Sequence, residues 1–547
     1  MQINNIDITW KDLFQPIPGL RTYRHNQICI EREVIPIIFI PGIMGSRLVR
    51  ARDKIKLWDP DDLGFMFGNY GWLKDAARKR KALLVGKKFS PYHAHVDNFD
   101  EKHNRKMSST TDKNRVTRGW GGVMWGSYGD ILIAMQEHRW PEPFCHCFEM
   151  PVHAFGYNWC ASNYLSGQAL SQEIERVIDF YRRGPKGKVG GPYPRMCNRV
   201  ILVTHSMGGL VARSACMLHG AKEKVLGVVH GVQPATGSPA AYWRMKAGFE
   251  RPRCGPNRTI WDWLRNPIKM AKHKIVGSAS AFILGSDGEE VTSLLSNMPG
   301  GLELLPTKDY IDNASNSSWL NYPGRNGDIK LPALDPYKEI YLLEDPVYRM
   351  VNPAWLDPPG NERNATSLQD EERQQVAGAW DRYKEYLLQA QTFHENLGTS
   401  FHPETYQFYG TDLDSPDKIA FSRKPYAPHH PHVHYDSPFF NKGTYATYVD
   451  EKDRILADGE GAVDIVMMGM PDGKGDGTVP VSSGNALRID KGRTEMIGTD
   501  REAWFSIGHQ DICSTPAAKQ FIFGSITQIL QKHVENECGV SLGEVIL

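Results

Sequence analysis

Short blocks of continuous apolar residues recur along this chain, and turn residues close most of them. Val200, Ile201, Leu202 and Val203 form one block, long enough for a strand buried on both faces of a parallel sheet. Thr204-His205-Ser206-Met207-Gly208 follows directly, and then an apolar, alanine-rich segment from Leu210 to Leu218, closed by Gly220. The pattern predicts a strand, a sharp turn and a helix, with a serine at the apex. Gly208 and Gly209 would let the helix pack close to the strand. Val34–Ile40 is a second buried-strand block, and Pro36 within it argues for a strand start or edge, because proline offers the ladder no N–H. Val225–Val232 is a third, closed by the small-residue turn Thr236-Gly237-Ser238. Further strands are expected at Tyr406–Gly410, at Val463–Met468, near Glu495–Ile497 and, more briefly, near Phe144–Met150.

Helical spacing alternates with these blocks. Tyr128–Gln136 reads as one helix. Leu170, Ile174, Val177, Ile178 and Tyr181 define another, with Arg182 and Arg183 in its last turn and Gly184-Pro185 after it. A terminal helix should start at Thr515-Pro516, a capping residue with proline in the first position, and bury Phe521, Ile522, Ile526, Ile529 and Leu530. Between Trp243 and Thr405 the alternation fails. That region carries Trp261, Trp263, an apolar patch at Ser280–Leu284 and many prolines. Its one clear helix runs from about Leu368 to Leu397, with Val376, Trp380, Tyr383, Leu387 and Ala390 on one stripe. The expected organisation is a core of residues 1–242, interrupted at about 50–118, an inserted cap or lid of residues 243–405, and a second part of the core from 406 to 547.

Composition narrows the function classes. A net charge of +1 leaves no basic excess to hold nucleic acid. The N-terminus shows no basic segment followed by an apolar core, so no signal peptide is expected, and no apolar run approaches the roughly 20 residues of a membrane-spanning helix. Nine scattered cysteines, an odd number without a C-x-x-C pair, suggest free buried thiols rather than a zinc site or a disulfide framework. The basic run from Lys74 to Lys88 reads as a solvated face, with contact to an acidic partner or to anionic lipid headgroups as the alternative. His429-His430-Pro431-His432-Val433-His434 reads as a histidine-rich loop, because proline interrupts it and no helical H-x-x-x-H spacing exists. Neither a metal nor a cofactor is expected.

The chemistry centres on Ser206. A serine on a strained strand-to-helix turn fits a nucleophile elbow, although Thr204 stands where the usual pattern has its first glycine. Pro41-Gly42-Ile43-Met44-Gly45-Ser46 follows a buried strand upstream of the elbow, where such a fold places its second oxyanion donor. The Ile43 and Met207 N–H groups would then face one oxygen. The serine needs a base and an orienting acid, and both should follow it in the chain. Gly475-Asp476-Gly477-Thr478-Val479-Pro480 offers the acid Asp476, and Gly508-His509, before the last helix, offers the base His509. Asp412, Asp414 and Asp417 compete with Asp476 for the acid role.

Taken in order, Pro41-Gly42-x-x-Gly45-Ser46, Tyr157-x-Trp159, His205-Ser206-x-Gly208, Gly475-Asp476-Gly477-Thr478-Val479 and Gly508-His509 resemble the motifs of lipolytic α/β-hydrolases. The nearest flavour is that of lecithin:cholesterol acyltransferase-like and GPI-inositol-deacylase-like lipases, and most of all the bacterial type VI secretion phospholipase effectors. The resemblance implies an α/β-hydrolase core with a mainly parallel sheet and a large inserted cap. It implies a phospholipase that meets a membrane surface peripherally and is neutralised in its producer by an immunity protein. It further implies synthesis in the bacterial cytoplasm, export by type VI secretion and action in the target cell's periplasm. Two other readings of the same residues stay open. One is an esterase or amidase with a small soluble substrate; the other is a catalytically silent binding protein on a hydrolase fold.

Overall fold

A computed structural model describes residues 3–17, 19–20, 25–62, 64–66, 91–98, 117–183, 195–248, 288–311, 318–356, 369–426, 445–456, 459–469, 472–498 and 508–543. The basic run of 74–88, the tryptophans at 261 and 263, the patch at 280–284 and the histidine cluster of 429–434 lie outside the described residues.

Six parallel strands form the central sheet. In chain order they are β1 (Ile37–Ile40), β2 (Val152–Ala154), β3 (Val200–His205), β4 (Val225–Gly231), β5 (Thr405–Gly410) and β6 (Thr494–Ile497). They lie side by side as β6-β5-β4-β3-β1-β2, every neighbouring pair parallel. Successive strand residues point to opposite faces, and here both faces are covered. Ile38, Ile40, Val200, Leu202 and Val228 enter one core with the helices Asn163–Arg183 and Gly208–Leu218. Ile37, Phe39, Ile201, Val203, Val229, Tyr406 and Phe408 enter the other, with the helices Trp125–Glu137 and Pro516–Cys538. This is why the strands read as unbroken apolar runs. Each such side chain contributes about 1.5–3 kcal/mol on full burial, so a polar residue is poorly tolerated on either face.

The helix signals act where they were expected. Thr515 caps the last helix by accepting the Ala518 N–H at 3.1 Å, with Pro516 in the first turn and Gly539 at the end in a left-handed conformation. The long helix Gln369–Leu397 ends on Gly398, whose φ is 47°. No helix among the described residues is long and apolar enough to cross a membrane. Eight described cysteines are free; five are buried, whereas Cys29 is exposed and Cys145 and Cys538 are partly so.

Several strand expectations need correction. Val34–Ile40 is divided at its proline: Glu33–Val34 pairs with Phe148–Glu149, and β1 starts after Pro36. The block 144–150 is mostly a helical turn, Phe144–Cys147, closed by bonds from the Cys145 N–H to the Pro141 carbonyl and from the His146 and Cys147 N–H groups to that of Pro143. The sheet edge is instead Val152–Ala154, too short to stand out as an apolar run. Leu48–Arg50, Lys56–Trp58 and Ala94–Val96 form a small antiparallel sheet, two of its three strands within the interruption expected at about 50–118.

The largest difference concerns Asp464–Met468, within the block expected to belong with the core. It lies in a second six-stranded sheet, between Ile419–Pro425 and Ala446–Val449, and that sheet also takes Leu320–Gly324 and Gly327–Leu331 from the region before residue 405. Its apolar face joins the core on the Asn163–Arg183 side of the central sheet through Tyr322, Ile419, Phe421, Val466 and Met468. A two-stranded stalk, Leu413–Ser415 against Gly473–Gly475, carries the chain out to this sheet and back. Strand pattern alone cannot say which of two sheets a strand joins.

Candidate active site

β3 delivers Ser206 just beyond its C-terminal end in a left-handed conformation, φ 54°, that a non-glycine residue rarely adopts. The strain is held by the Ser206 N–H, which donates to the Gly231 carbonyl at the end of β4 (2.9 Å). Close approach explains two glycines. A Cβ on Gly208 would stand 2.5 Å from the carbonyl oxygens of Ile40 and Pro41, and one on Gly42 would stand 2.9 Å from the Ser206 Cβ. Gly208 thus lets the helix approach the end of β1, while Gly209 makes room for the Gln233 side chain. Thr204 fits where a glycine is usual, because its hydroxyl turns sideways to the ring of His230 on β4 (2.8 Å).

Residues 41–46 form a tight turn. The Gly45 N–H donates to the Gly42 carbonyl (3.1 Å), and Met44 takes a φ of 62°. The Tyr157-x-Trp159 pair braces this turn: the Tyr157 hydroxyl donates to the Pro41 carbonyl (3.0 Å), its N–H to Ser46 Oγ (3.0 Å), and the Trp159 indole to the Ser46 carbonyl (3.2 Å). Neither Ile43 nor Met207 donates its N–H to an acceptor among the described residues, the condition required of groups that are to receive an oxyanion.

The two remaining groups arrive from far along the chain. His509 Nε2 lies 2.7 Å from Ser206 Oγ, and Nδ1 lies 2.7 Å from Asp476 Oδ2. The carboxylate at Nδ1 puts the proton there and leaves Nε2 to accept from the serine hydroxyl. Asp476 is 1% exposed, and its other oxygen accepts the N–H groups of Thr478 (3.0 Å) and Val479 (2.8 Å). It is therefore fully bonded on both oxygens. The rival carboxylates bond elsewhere: Asp412 accepts the Thr411 hydroxyl, Asp414 pairs with Lys474, and Asp417 takes the hydroxyls of Tyr310 and Ser482. Asp476 reaches the site because it is the first residue after the stalk, beside Gly410 at the end of β5, where a Cβ on Gly410 would stand 2.8 Å from its own. Ser206, His509 and Asp476 thus form one unbroken hydrogen-bond chain.

Sequence reasoning passed over two further residues at the site, Tyr128 and His205. His205 lies between Tyr128 and His509, its Nδ1 3.0 Å from the Tyr128 hydroxyl and its Nε2 2.8 Å from the His509 carbonyl. A histidine closing an otherwise apolar buried strand was the available signal.

A family profile described as a PGAP1-like alpha/beta domain matches residues 159–248, the stretch that contains β3, the Ser206 turn, the following helix and β4. Of solved structures, a chain from the crystal structure of the Tle4–Tli4 complex is 26% identical, with a TM-score of 0.65 over 92% of this chain and 99% of that one. The fold is an α/β-hydrolase. Its resemblance to lipolytic members of that fold, drawn from the motifs, is met by this profile on the segment that carries the serine. Slighter overlaps occur with the Bacillus licheniformis lipase BlEst2 in its mature form (13% identity, TM-score 0.17, 39% of this chain and 46% of that one). Another is the phospholipase PlaB from Legionella pneumophila (11%, 0.16, 62% and 77%). No curated protein matches the hydrolase.

Proposed function

We propose that the protein is a serine carboxylic-ester hydrolase that cleaves lipid esters, with phospholipid as its substrate class. Ser206 is the nucleophile, His509 the general acid–base and Asp476 the group that orients it; Ile43 and Met207 N–H groups form the oxyanion hole. The unbroken chain from Ser206 through His509 to Asp476 carries this reading. Ser206 Oγ bonds to the ester carbonyl carbon as its proton passes to His509 Nε2. The oxygen that gains negative charge takes the two N–H donors, each worth about 2.7–4 kcal/mol of transition-state stabilisation. Collapse of the adduct breaks the bond to the alcohol, which leaves with the proton from His509 and leaves an acyl-serine. Water, deprotonated by His509, then attacks the acyl carbon; the bond to Ser206 Oγ breaks, His509 returns the proton to that oxygen, and the fatty acid leaves. Every group in these steps comes from the chain or from water.

The same proposal extends to biological setting. The motif resemblance to type VI secretion phospholipase effectors, together with likeness to a chain of the Tle4–Tli4 complex over nearly the whole length, supports an antibacterial effector exported by type VI secretion. Its site of action is the target cell's periplasm, at a membrane surface. An immunity protein would restrain it in the producer, as the Tle4 chain was solved with Tli4. Residues 1–242 and 406–547 supply the catalytic core, and residues 243–405 supply a cap whose sheet is completed by strands from 419–468.

Turnover of phospholipid vesicles and of soluble short-chain esters by wild type and Ser206→Ala tests this. The substitution should lower kcat on the order of 10⁶-fold with the fold intact. A variant that hydrolyses either substrate at near wild-type rate refutes the mechanism. Wild-type turnover confined to soluble esters would replace lipid with a small-molecule substrate.

A further inference from the structure

Tyr128 and His205 take no part in those steps, yet their bonds join the oxyanion turn, the residue before Ser206 and the main chain of His509. Tyr128 is fully buried on the Trp125–Glu137 helix. Its hydroxyl accepts the N–H of Gly42 in the oxyanion turn at 3.2 Å and faces His205 Nδ1 at 3.0 Å. On the other side of the ring, His205 Nε2 faces the main-chain carbonyl of His509 at 2.8 Å. A carbonyl only accepts, so Nε2 carries the proton, and Nδ1 then accepts from the tyrosine. Burial, and next to it the nearby His509, hold the His205 pKa down at about 3, which keeps this one-proton form in place. Burial pushes the Tyr128 phenol well above its usual range, so it stays a donor.

We propose that Tyr128 and His205 are positioning residues, a buried brace that holds the oxyanion turn, the elbow and the main chain of the base in register. The proposal rests on the triad reading above. Ser206 and His509 lie 303 positions apart, and the side-chain bond between them is broken whenever the serine is acylated. The brace does not depend on that bond. It ties the carbonyl of His509 to the residue next to Ser206, while the N–H of His509 is held by the Asp476 carbonyl at 2.9 Å. Both main-chain groups of the base are thereby referenced to the other two members of the triad. Without His205 the turn carrying His509, closed by the Asp511 N–H on the Gly508 carbonyl (3.1 Å), is free to pivot on the Asp476 side alone. A displacement of about 1 Å at a reacting group costs on the order of 10²-fold in rate. Neither residue is placed in contact with substrate, so the loss belongs in kcat.

The test measures kcat and KM on a soluble short-chain ester for wild type, Tyr128→Phe, His205→Leu, His205→Gln and Ser206→Ala. Glutamine carries an N–H donor at nearly the reach of imidazole Nε2, whereas leucine carries none. Tyr128→Phe should lower kcat about tenfold and His205→Leu about 10²-fold, both at unchanged KM, with His205→Gln recovering most of the loss. Wild-type kcat in both Tyr128→Phe and His205→Leu overturns the brace, as does a loss that appears in KM or that glutamine fails to recover. Should His205→Leu not fold, Tyr128→Phe and His205→Gln decide by the same criteria. An inactive Ser206→Ala beside unaffected brace variants refutes the brace alone; an active Ser206→Ala refutes the triad reading beneath it.

Discussion

The serine and the acid of the candidate triad are held in opposite ways. Ser206 sits in a contiguous strand, turn and helix: Thr204 and the Gly231 carbonyl lie on adjoining strands of one sheet, and Gly208 opens the helix that follows. Asp476 lies just beyond the stalk on which the second sheet is carried, and the tight turn through Thr478 and Val479 holds one oxygen of its carboxylate. One position is a product of the central sheet; the other depends on how an excursion of the chain returns to it. Disturbing the elbow should therefore cost stability first, and disturbing the stalk should cost rate first.

The sharpest test of that contrast is the acid itself. Asp476→Asn should lower kcat on the order of 10⁴-fold, because an amide at His509 Nδ1 stabilises the wrong tautomer, while Asp414→Asn and Asp417→Asn stay near wild type in the same assay. A comparable loss at either rival would move the acid elsewhere. Next in size, a Cβ at position 475 would stand 2.1 Å from the Val479 carbonyl, which accepts the Asp476 N–H. Gly475→Ala should thus shift the carboxylate and lower kcat on the order of 10²-fold with little change in Tm. Gly208→Ala makes the complementary prediction: the clash with Ile40 and Pro41 should destabilise the protein by about 1–3 kcal/mol, seen as a lower Tm. If Gly208→Ala kept Tm while Gly475→Ala lost it, the contrast between the two ends would collapse.

The smallest effect is a dependence of stability on pH. Burial raises the Glu303 carboxyl to about 8 from 4.5, although the Ser162 hydroxyl and the Asn163 N–H both donate to it. Between those values the folded state holds a proton that the unfolded state has released, so stability contributed here falls as pH rises from about 4.5 to 8. Buried histidines of the central sheet titrate with the opposite sign. Burial lowers His153, His205 and His230 from 6.5 to about 3, so the unfolded state takes up protons first and stability falls as pH drops below 6.5. Denaturant unfolding from pH 4 to 8.5 should show both slopes, and Glu303→Gln should flatten the alkaline one alone. An unchanged alkaline slope in that variant would assign it to another group.

Much of this was legible in the residues. The continuous apolar runs of β1 and β3 announce strands covered on both faces, and Thr515-Pro516 and Gly398 mark helix ends, because these signals act within a few residues. Ser206, Asp476 and His509 were legible as candidates because each stands in a glycine-bordered turn of recognisable chemistry and in a consistent order. Asp464–Met468 was misplaced because its alternation suits either sheet, and Val152–Ala154 was missed because three residues make no pattern. Tyr128 was legible only as the start of a helix and His205 only as a member of the turn that carries Ser206, neither with a role of its own.

By itself, then, the sequence determined the local pieces: which segments are strands or helices, where they stop, and which side chains carry the chemistry. The tertiary structure alone decided which carboxylate meets His509, which sheet each later strand joins, and that a tyrosine and a histidine link the oxyanion turn to the base. The reason is range. Caps, turns and burial periodicity act over a few residues, whereas hydrogen bonds of 2.7–3.2 Å between positions 86 to 304 apart exist only after the sheet has brought those positions together.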